Sequence, residues 1–270
     1  MGVAASGRLR LAPGAAATGP RGLRRVNTRG ADWLVPEWPA PAGVRACVTT
    51  RLGGISTPPF DGLNLGDHVG DDPAAVAWNR QHLQDALGCQ PAWLAQVHSS
   101  VATRATPRTC VTADASWSET PGQACAVLTA DCLPVLFCDR AATRVAAAHA
   151  GWRGLAGGIL EATLEALAIP SGEVLAWLGP AIGPAAFEVG PEVRDAFVAQ
   201  HPAAVVAFVP SRNDGRFMAD LYQLARIRLA AVGVHAVYGG GLCTFSDQRF
   251  YSYRRASRTG RFATLIWLDR

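Results

Sequence analysis

Apolar residues in this chain fall into short runs separated by Gly- and Pro-rich breaks, and the period within each run identifies the elements. Regular structure is expected to begin near Trp33. Residues 44–50 read as a strand, followed by the turn-rich Arg51-Leu52-Gly53-Gly54-Ile55-Ser56. A helix is marked from Asp72 to Gly88: Asp72 at the N-cap, Pro73 at the first helical position, Val76, Leu83 and Leu87 on one side, and Gly88 as the stop. Strands are expected around 92–97 and 124–129. Pro134 cannot donate a ladder hydrogen bond, which predicts an edge or a bulge there. Residues 143–148 are a further strand ending at His149. A helix follows to about Ala168, with Leu155, Ile159, Leu160, Leu164 and Leu167 facing the core. Val174–Leu178 reads as a buried strand leading into Gly179-Pro180-Ala181-Ile182-Gly183-Pro184. Helices are expected from Pro191 and over about 220–232, a strand before Gly239-Gly240-Gly241, and a closing strand Phe262–Leu268.

These elements follow one another without a regular βαβ rhythm. The pattern predicts an α+β fold, a layered α/β sandwich with mixed β-sheets. No repeat or linker divides residues 31–270, which are expected to form a single domain. Residues 1–30 carry no periodic apolar face and are expected to be a disordered Arg/Ala/Gly-rich N-terminal extension.

Charge sharpens this division. Residues 1–30 hold six of the 25 arginines and no acid, so the remainder carries 19 basic against 21 acidic residues, a net of −2. The basic pI of 8.8 therefore belongs to the first segment, and the core is not a nucleic-acid binder. No run of 18 apolar residues occurs, so no membrane span is expected. All 25 basic residues are arginine, which excludes Schiff-base chemistry and a P-loop lysine. Any phosphate must be held by Arg, backbone N–H groups or a metal. Seven cysteines, an odd number without a CxxC pair, fit reduced thiols in a cytoplasmic protein.

Chemistry concentrates where strands are expected to end. Cys132 and His149 lie beside Pro134 and Gly151, and Gln96-Val97-His98-Ser99 supplies a second histidine. Two imidazoles and a thiolate form a three-donor set with an open fourth position, the arrangement of a catalytic zinc. A Cys132 nucleophile activated by His149, without metal, uses the same residues. Asp131 is placed to orient an imidazole in either scheme. Arg51 and Arg153 sit in Gly-bearing loops, where a planar guanidinium can grip a phosphate or carboxylate. Ser252-Tyr253-Arg254-Arg255 is a candidate ring pocket, although the alternation of Tyr251 and Tyr253 favours core packing.

Taken in order, Thr50-Arg51-Leu52-Gly53-Gly54, Leu63-Asn64-Leu65-Gly66, Gln96-Val97-His98, Thr129-Ala130-Asp131-Cys132-Leu133-Pro134, His149-Ala150-Gly151-Trp152-Arg153-Gly154, Gly179 to Pro184, Phe187-Glu188-Val189-Gly190 and Cys243-Thr244-Phe245 resemble the bacterial laccase-domain family. Its members have been described as multicopper polyphenol oxidases, as peptidoglycan-editing factors, and as purine nucleoside phosphorylases with adenosine deaminase activity. The resemblance covers about Val44 to the C-terminus. It implies a mixed-sheet sandwich similar to the cytotoxic-necrotizing-factor catalytic domain. It also implies a zinc site, with copper as the alternative, on His98, Cys132 and His149. Ser99 stands where glycine is usual, and Ala185 where cysteine is often found.

The implied activity is zinc-dependent phosphorolysis of purine nucleosides, covering adenosine, inosine, guanosine and S-methyl-5'-thioadenosine, together with adenosine deamination. Cys132, His149 and Asp131 are the expected catalytic residues, and Arg51, Asn64 and Arg153 the expected substrate contacts. The partners implied are purine nucleosides and phosphate, with neither nucleic acid nor membrane. Two alternatives stand beside it: a copper polyphenol oxidase, and an amide hydrolase editing peptidoglycan precursors. A multicopper oxidase needs a trinuclear site and a separate type-1 copper, which is more histidine than the six residues present here. A lone blue-copper site usually adds an axial Met, and Met218 is the one methionine besides the initiator.

Overall fold

The computed structural model describes residues 23–28 and 31–269. In chain order the strands of two large sheets are β1 (Leu23–Thr28), β2 (Ala31–Pro36), β3 (Val44–Val48), β4 (Gln90–Ala92), β5 (Ala102–Arg104), β6 (Ala115–Ser118), β7 (Gln123–Thr129), β8 (Leu133–Asp139), β9 (Val145–Ala150), β10 (Val174–Leu178), β11 (Val237–Gly239) and β12 (Phe262–Leu268). The helices are α1 (Pro73–Leu87), α2 (Trp152–Gly157), α3 (Ile159–Leu167), α4 (Pro191–Val198) and α5 (Leu221–Ala231). One sheet runs β1-β2-β3-β12-β7-β4 and the other β11-β10-β8-β9-β6-β5. Most neighbours are antiparallel, but β4–β7, β5–β6 and β10–β11 are parallel, so both sheets are mixed as expected.

Burial on both faces explains why the central strands read as continuous apolar runs. Successive side chains of a strand point to opposite faces. Leu136 and Cys138 of β8 therefore meet Val127 and Ile266 of the other sheet. Leu133, Val135 and Phe137 pack beneath Leu155, Ile159 and Leu160 of the helical layer. On the far side, Leu128, Leu265 and Trp267 pack against Leu83 of α1 together with Leu63 and Leu65. The result is four layers: helix, sheet, sheet, helices. α1 has the expected ends, with the Asp72 carboxylate accepting from Ala74 N–H at 2.9 Å and Gly88 closing it at φ 66°.

Several local expectations change. Pro134 lies neither at an edge nor in a bulge; β8 is central, between β9 and β10, and Pro134 pairs with His149. Its carbonyl accepts from Gly179 N–H at 2.9 Å, so the missing donor is tolerated at the start of the strand. The helix expected after His149 is two helices, because Gly158 adopts φ 95° between α2 and α3. The 92–97 strand is reduced to β4 and a two-residue strand, Leu94–Ala95. Tyr251 and Tyr253 lie outside any strand, with Tyr251 buried and Tyr253 exposed. Most of the expected N-terminal extension lies outside the described residues, but Leu23–Thr28 within it pairs with Ala31–Pro36, so regular structure begins before Trp33. Among the described residues, no helix is long and apolar enough to cross a membrane. All seven cysteines are free.

Candidate active site

The turn leaving β7 and the ends of β8 and β9 converge on one point, and three of the expected residues meet there. The donor atoms of His98, Cys132 and His149 all lie within 4.8 Å of one another. Cys132 Sγ is 3.7 Å from His98 Nε2, and the two imidazoles meet edge to face with centroids 4.7 Å apart. Tetrahedral ligation with bonds of 2.0–2.3 Å places donors about 3.3–3.6 Å apart, so this cluster fits a metal after a small contraction. Gly151 makes the convergence possible. A Cβ there would lie 2.8 Å from His98 Cδ2 and 2.9 Å from Cys132 Sγ.

The organising residue was not expected from the sequence. Asp114 is fully buried, and its carboxylate accepts from Val97, His98 and Ser99 N–H at 3.2, 3.0 and 2.6 Å and from the Ser99 hydroxyl at 2.7 Å. It also lies 2.8 Å from His149 Nδ1, which leaves Nε2 for the cluster. One carboxylate thus holds the loop of one histidine and the ring of the other, the arrangement that orients metal-bound imidazoles. The loop is bent to suit: His98 adopts φ 61°, a left-handed conformation that a non-glycine residue holds only when its surroundings demand it. Gln96 secures the same loop from the other side, exchanging hydrogen bonds of 2.9 and 2.8 Å with the backbone of Leu128.

Electrostatics favour a thiolate. Burial pushes the Cys132 thiol up, but His149 and then His98 outweigh it and bring the pKa below the ordinary value. Burial pushes His149 down, and Cys132 together with Asp114 more than reverses that. Asp114 is held well below the usual carboxylate range, since hydrogen bonds from His149 and Ser99 overcome its burial. A deprotonated sulfur beside imidazoles suits metal ligation and nucleophilic attack alike.

A cavity of about 360 Å³ opens over this cluster. Arg153 lines it from α2, with its guanidinium 4.4 Å over the Trp152 ring and no hydrogen-bond or ion-pair partner among the described residues. Ile182 and Phe187 supply apolar and aromatic wall, Tyr253 and Arg254 of the candidate ring pocket line it as well, and Arg261 and His68 add polar groups absent from the expected site. Asp131 lines the cavity too, but both carboxylate oxygens are engaged, by the Thr244 hydroxyl at 2.6 Å and by Arg254 N–H at 2.7 Å. At φ 97° it clamps three loops together, its carbonyl accepting from Ile182 N–H at 2.9 Å. Two expected contacts are not brought to the cavity. Arg51 pairs with Asp61 at 2.5 Å and lies over the Tyr251 ring. Asn64 is buried behind the wall, its side-chain oxygen accepting from Arg261 N–H at 2.8 Å. No sequence signal marked Asp114 or Arg261, because their partners are far away along the chain.

A mixed-sheet sandwich presenting a His–Cys–His donor set at its strand ends, under a cavity with an arginine unpaired among the described residues, is the framework of a metal-site enzyme. A family model described as multi-copper polyphenol oxidoreductase laccase matches residues 45–269, and the chain belongs to that family. A Pseudomonas aeruginosa protein named purine nucleoside phosphorylase is 68% identical over 238 residues, covering 88% of this chain and 98% of that one. Purine nucleoside phosphorylase YfiH of Escherichia coli is 55% identical over 240 residues, covering 87% and 98%. A solved structure from Neisseria meningitidis matches with a TM-score of 0.86 at 53% identity, covering 88% of this chain and 99% of that one. YlmD from Geobacillus stearothermophilus matches at 0.83 and 30% identity, covering 94% and 98%. The resemblance and the fold class read from the sequence are both borne out, and the chain is an enzyme.

Proposed function

We propose that this enzyme is a zinc-dependent purine nucleoside phosphorylase, acting on adenosine, inosine, guanosine and S-methyl-5'-thioadenosine, and that it also deaminates adenosine in the cytoplasm. The observation that carries the reading is the guanidinium of Arg153, without a partner among the described residues, in the same cavity as the three-donor cluster, in a chain 68% identical over 238 residues to a protein named for phosphorolysis. His98, Cys132 and His149 would hold the metal, which when bound supplies Lewis-acid polarisation and a lowered water pKa. Arg153 is the anchor for phosphate, since a guanidinium without a protein partner gains most from an incoming dianion. Phe187 and Tyr253 offer flat apolar surface to a purine.

The copper oxidase reading has less to stand on. Among the described residues, only His98, Cys132 and His149 converge as metal donors. His82 is stacked on Trp78 in α1, and neither it nor Met218 lines the cavity.

The test is incubation of the pure protein with adenosine, with and without phosphate, at controlled metal content. Adenine and ribose 1-phosphate are expected only with phosphate, whereas inosine is expected in both cases. Arg153→Ala should lower phosphorolysis more than deamination. One lost charge-assisted hydrogen bond is worth about 1.5–3 kcal/mol, or roughly 10- to 150-fold. Base release without phosphate, equal loss of both reactions, or oxygen uptake with phenols exceeding nucleoside turnover would overturn the assignment.

A further inference from the structure

The cavity holds one titratable side chain that neither the metal cluster nor the clamp around it uses. Of its ionisable lining groups, His98, Cys132 and His149 form the cluster, Asp131 is engaged by Thr244 and Arg254, and three are arginines that do not give up protons. Tyr253 presents its ring as aromatic wall. His68 remains. It sits on the turn before α1, more than half exposed, with Nδ1 3.5 Å from Asp67 Oδ1.

That turn is built with more care than a surface loop needs. Asn64 is fully buried, and its amide donates to Gly66 O at 3.1 Å and to the Asp71 carboxylate at 2.8 Å, closing the two ends of the turn on each other. Its side-chain oxygen accepts from Gly66 N–H at 3.0 Å and from Arg261 N–H at 2.8 Å. Arg80 of α1 completes the frame, reaching Asp67 at 3.2 Å and Leu65 O at 2.9 Å. One buried amide therefore fixes His68 and Arg261 relative to each other on the same wall of the cavity. This is the physical content of the Leu63-Asn64-Leu65-Gly66 motif, and it makes Asn64 a positioning residue.

We propose that His68 is the general acid of phosphorolysis, donating its Nε2 proton to N7 of the leaving purine. The inference rests on the phosphorylase reading above. As a phosphate oxygen bonds to C1′, the C1′–N9 bond breaks and its electron pair passes into the imidazole ring of the purine. The proton from His68 neutralises that charge at N7, releasing a neutral base and ribose 1-phosphate. His68 is left neutral and takes a proton back from water. Asp67 faces the other ring nitrogen, while Arg80 and Arg261 are the cations that face the imidazole. Burial first, and then Arg261, lower the His68 pKa against the opposing pull of Asp67, which makes its protonated form a readier donor.

A leaving group that needs no proton tests this directly. His68→Asn should lower phosphorolysis of inosine by about 100-fold or more, the scale of a lost general acid. The same variant should stay within about threefold of the unaltered enzyme on 7-methylguanosine, whose N7 already carries a positive charge. The alkaline limb of the inosine pH profile, where His68 loses the proton it must donate, should move or vanish with it. His68→Gln repeats the measurement if the Asn variant has a lowered melting temperature. Equal losses on both substrates would make His68 a structural residue and overturn the proposal, as would an unchanged inosine rate. Absence of ribose 1-phosphate with the unaltered enzyme would instead sink the phosphorylase reading, and this inference with it.

Discussion

Cys132→Ala is expected to abolish nucleoside turnover and to lower bound metal well below one equivalent, while Cys89→Ala and Cys110→Ala leave both nearly unchanged. The three thiols differ in surroundings and not in kind. Cys132 lies 3.7 Å from His98 Nε2 and belongs to the donor set, with its pKa lowered by the two histidines against burial. Cys89 is buried in the core beneath α1, where burial pushes its thiol up to about 12. Cys110 is exposed. Removing one donor of three leaves two imidazoles, too few for a catalytic metal site, which takes three protein donors and keeps its fourth position open. Metal analysis of the purified variant decides between two chemistries that share one geometry. Full metal occupancy with lost activity would replace ligation by a Cys132 nucleophile that His149 activates.

Asp114→Asn should do comparable damage from a residue that touches no substrate. Its carboxylate serves three backbone N–H groups, one hydroxyl and one imidazole, all from inside the fold. An amide of the same shape turns one of the two oxygens into a donor facing donors and removes the charge. Charge-assisted hydrogen bonds contribute about 1.5–3 kcal/mol each, so a net loss near 3 kcal/mol is expected. That corresponds to a fall of about 6–12 °C in melting temperature for a domain of this size. Metal affinity should fall about 10- to 100-fold, the usual cost of losing the carboxylate behind a liganding histidine. Competition with a chelating dye measures the affinity, and thermal unfolding the stability. An affinity within twofold of the unaltered protein would show that Asp114 supports the fold and not the metal site.

The positions that the structure places differently from expectation share a cause. Pro134 argued for an edge strand, since a proline usually interrupts a ladder. It is tolerated in a central strand because it comes at the start, where its carbonyl still bonds to Gly179. Arg51 and Asn64 were expected at the substrate because their motifs pointed to the site. Both serve the frame, Arg51 through Asp61 and Asn64 through Arg261. Asp131 was expected to orient an imidazole; its oxygens instead tie down Thr244 and the Arg254 backbone.

What the amino-acid order settled by itself is local. Asp72, Pro73 and Gly88 delimit α1 through contacts within a few residues of each end, and the apolar runs of β8 and β12 declare burial on both faces. The pairing of His98, Cys132 and His149 was legible through motif order, because ligand chemistry restricts which residue types can serve. Tertiary structure alone decided what stands behind those three side chains and around them. Asp114 lies 35 residues from His149, and Asn64 lies 197 residues from Arg261. No period or cap records such a contact, since it exists only once distant segments have come together: β6 pairs with β9 to bring Asp114 to His149, and the loop before α1 packs at the start of β12 to bring Asn64 to Arg261.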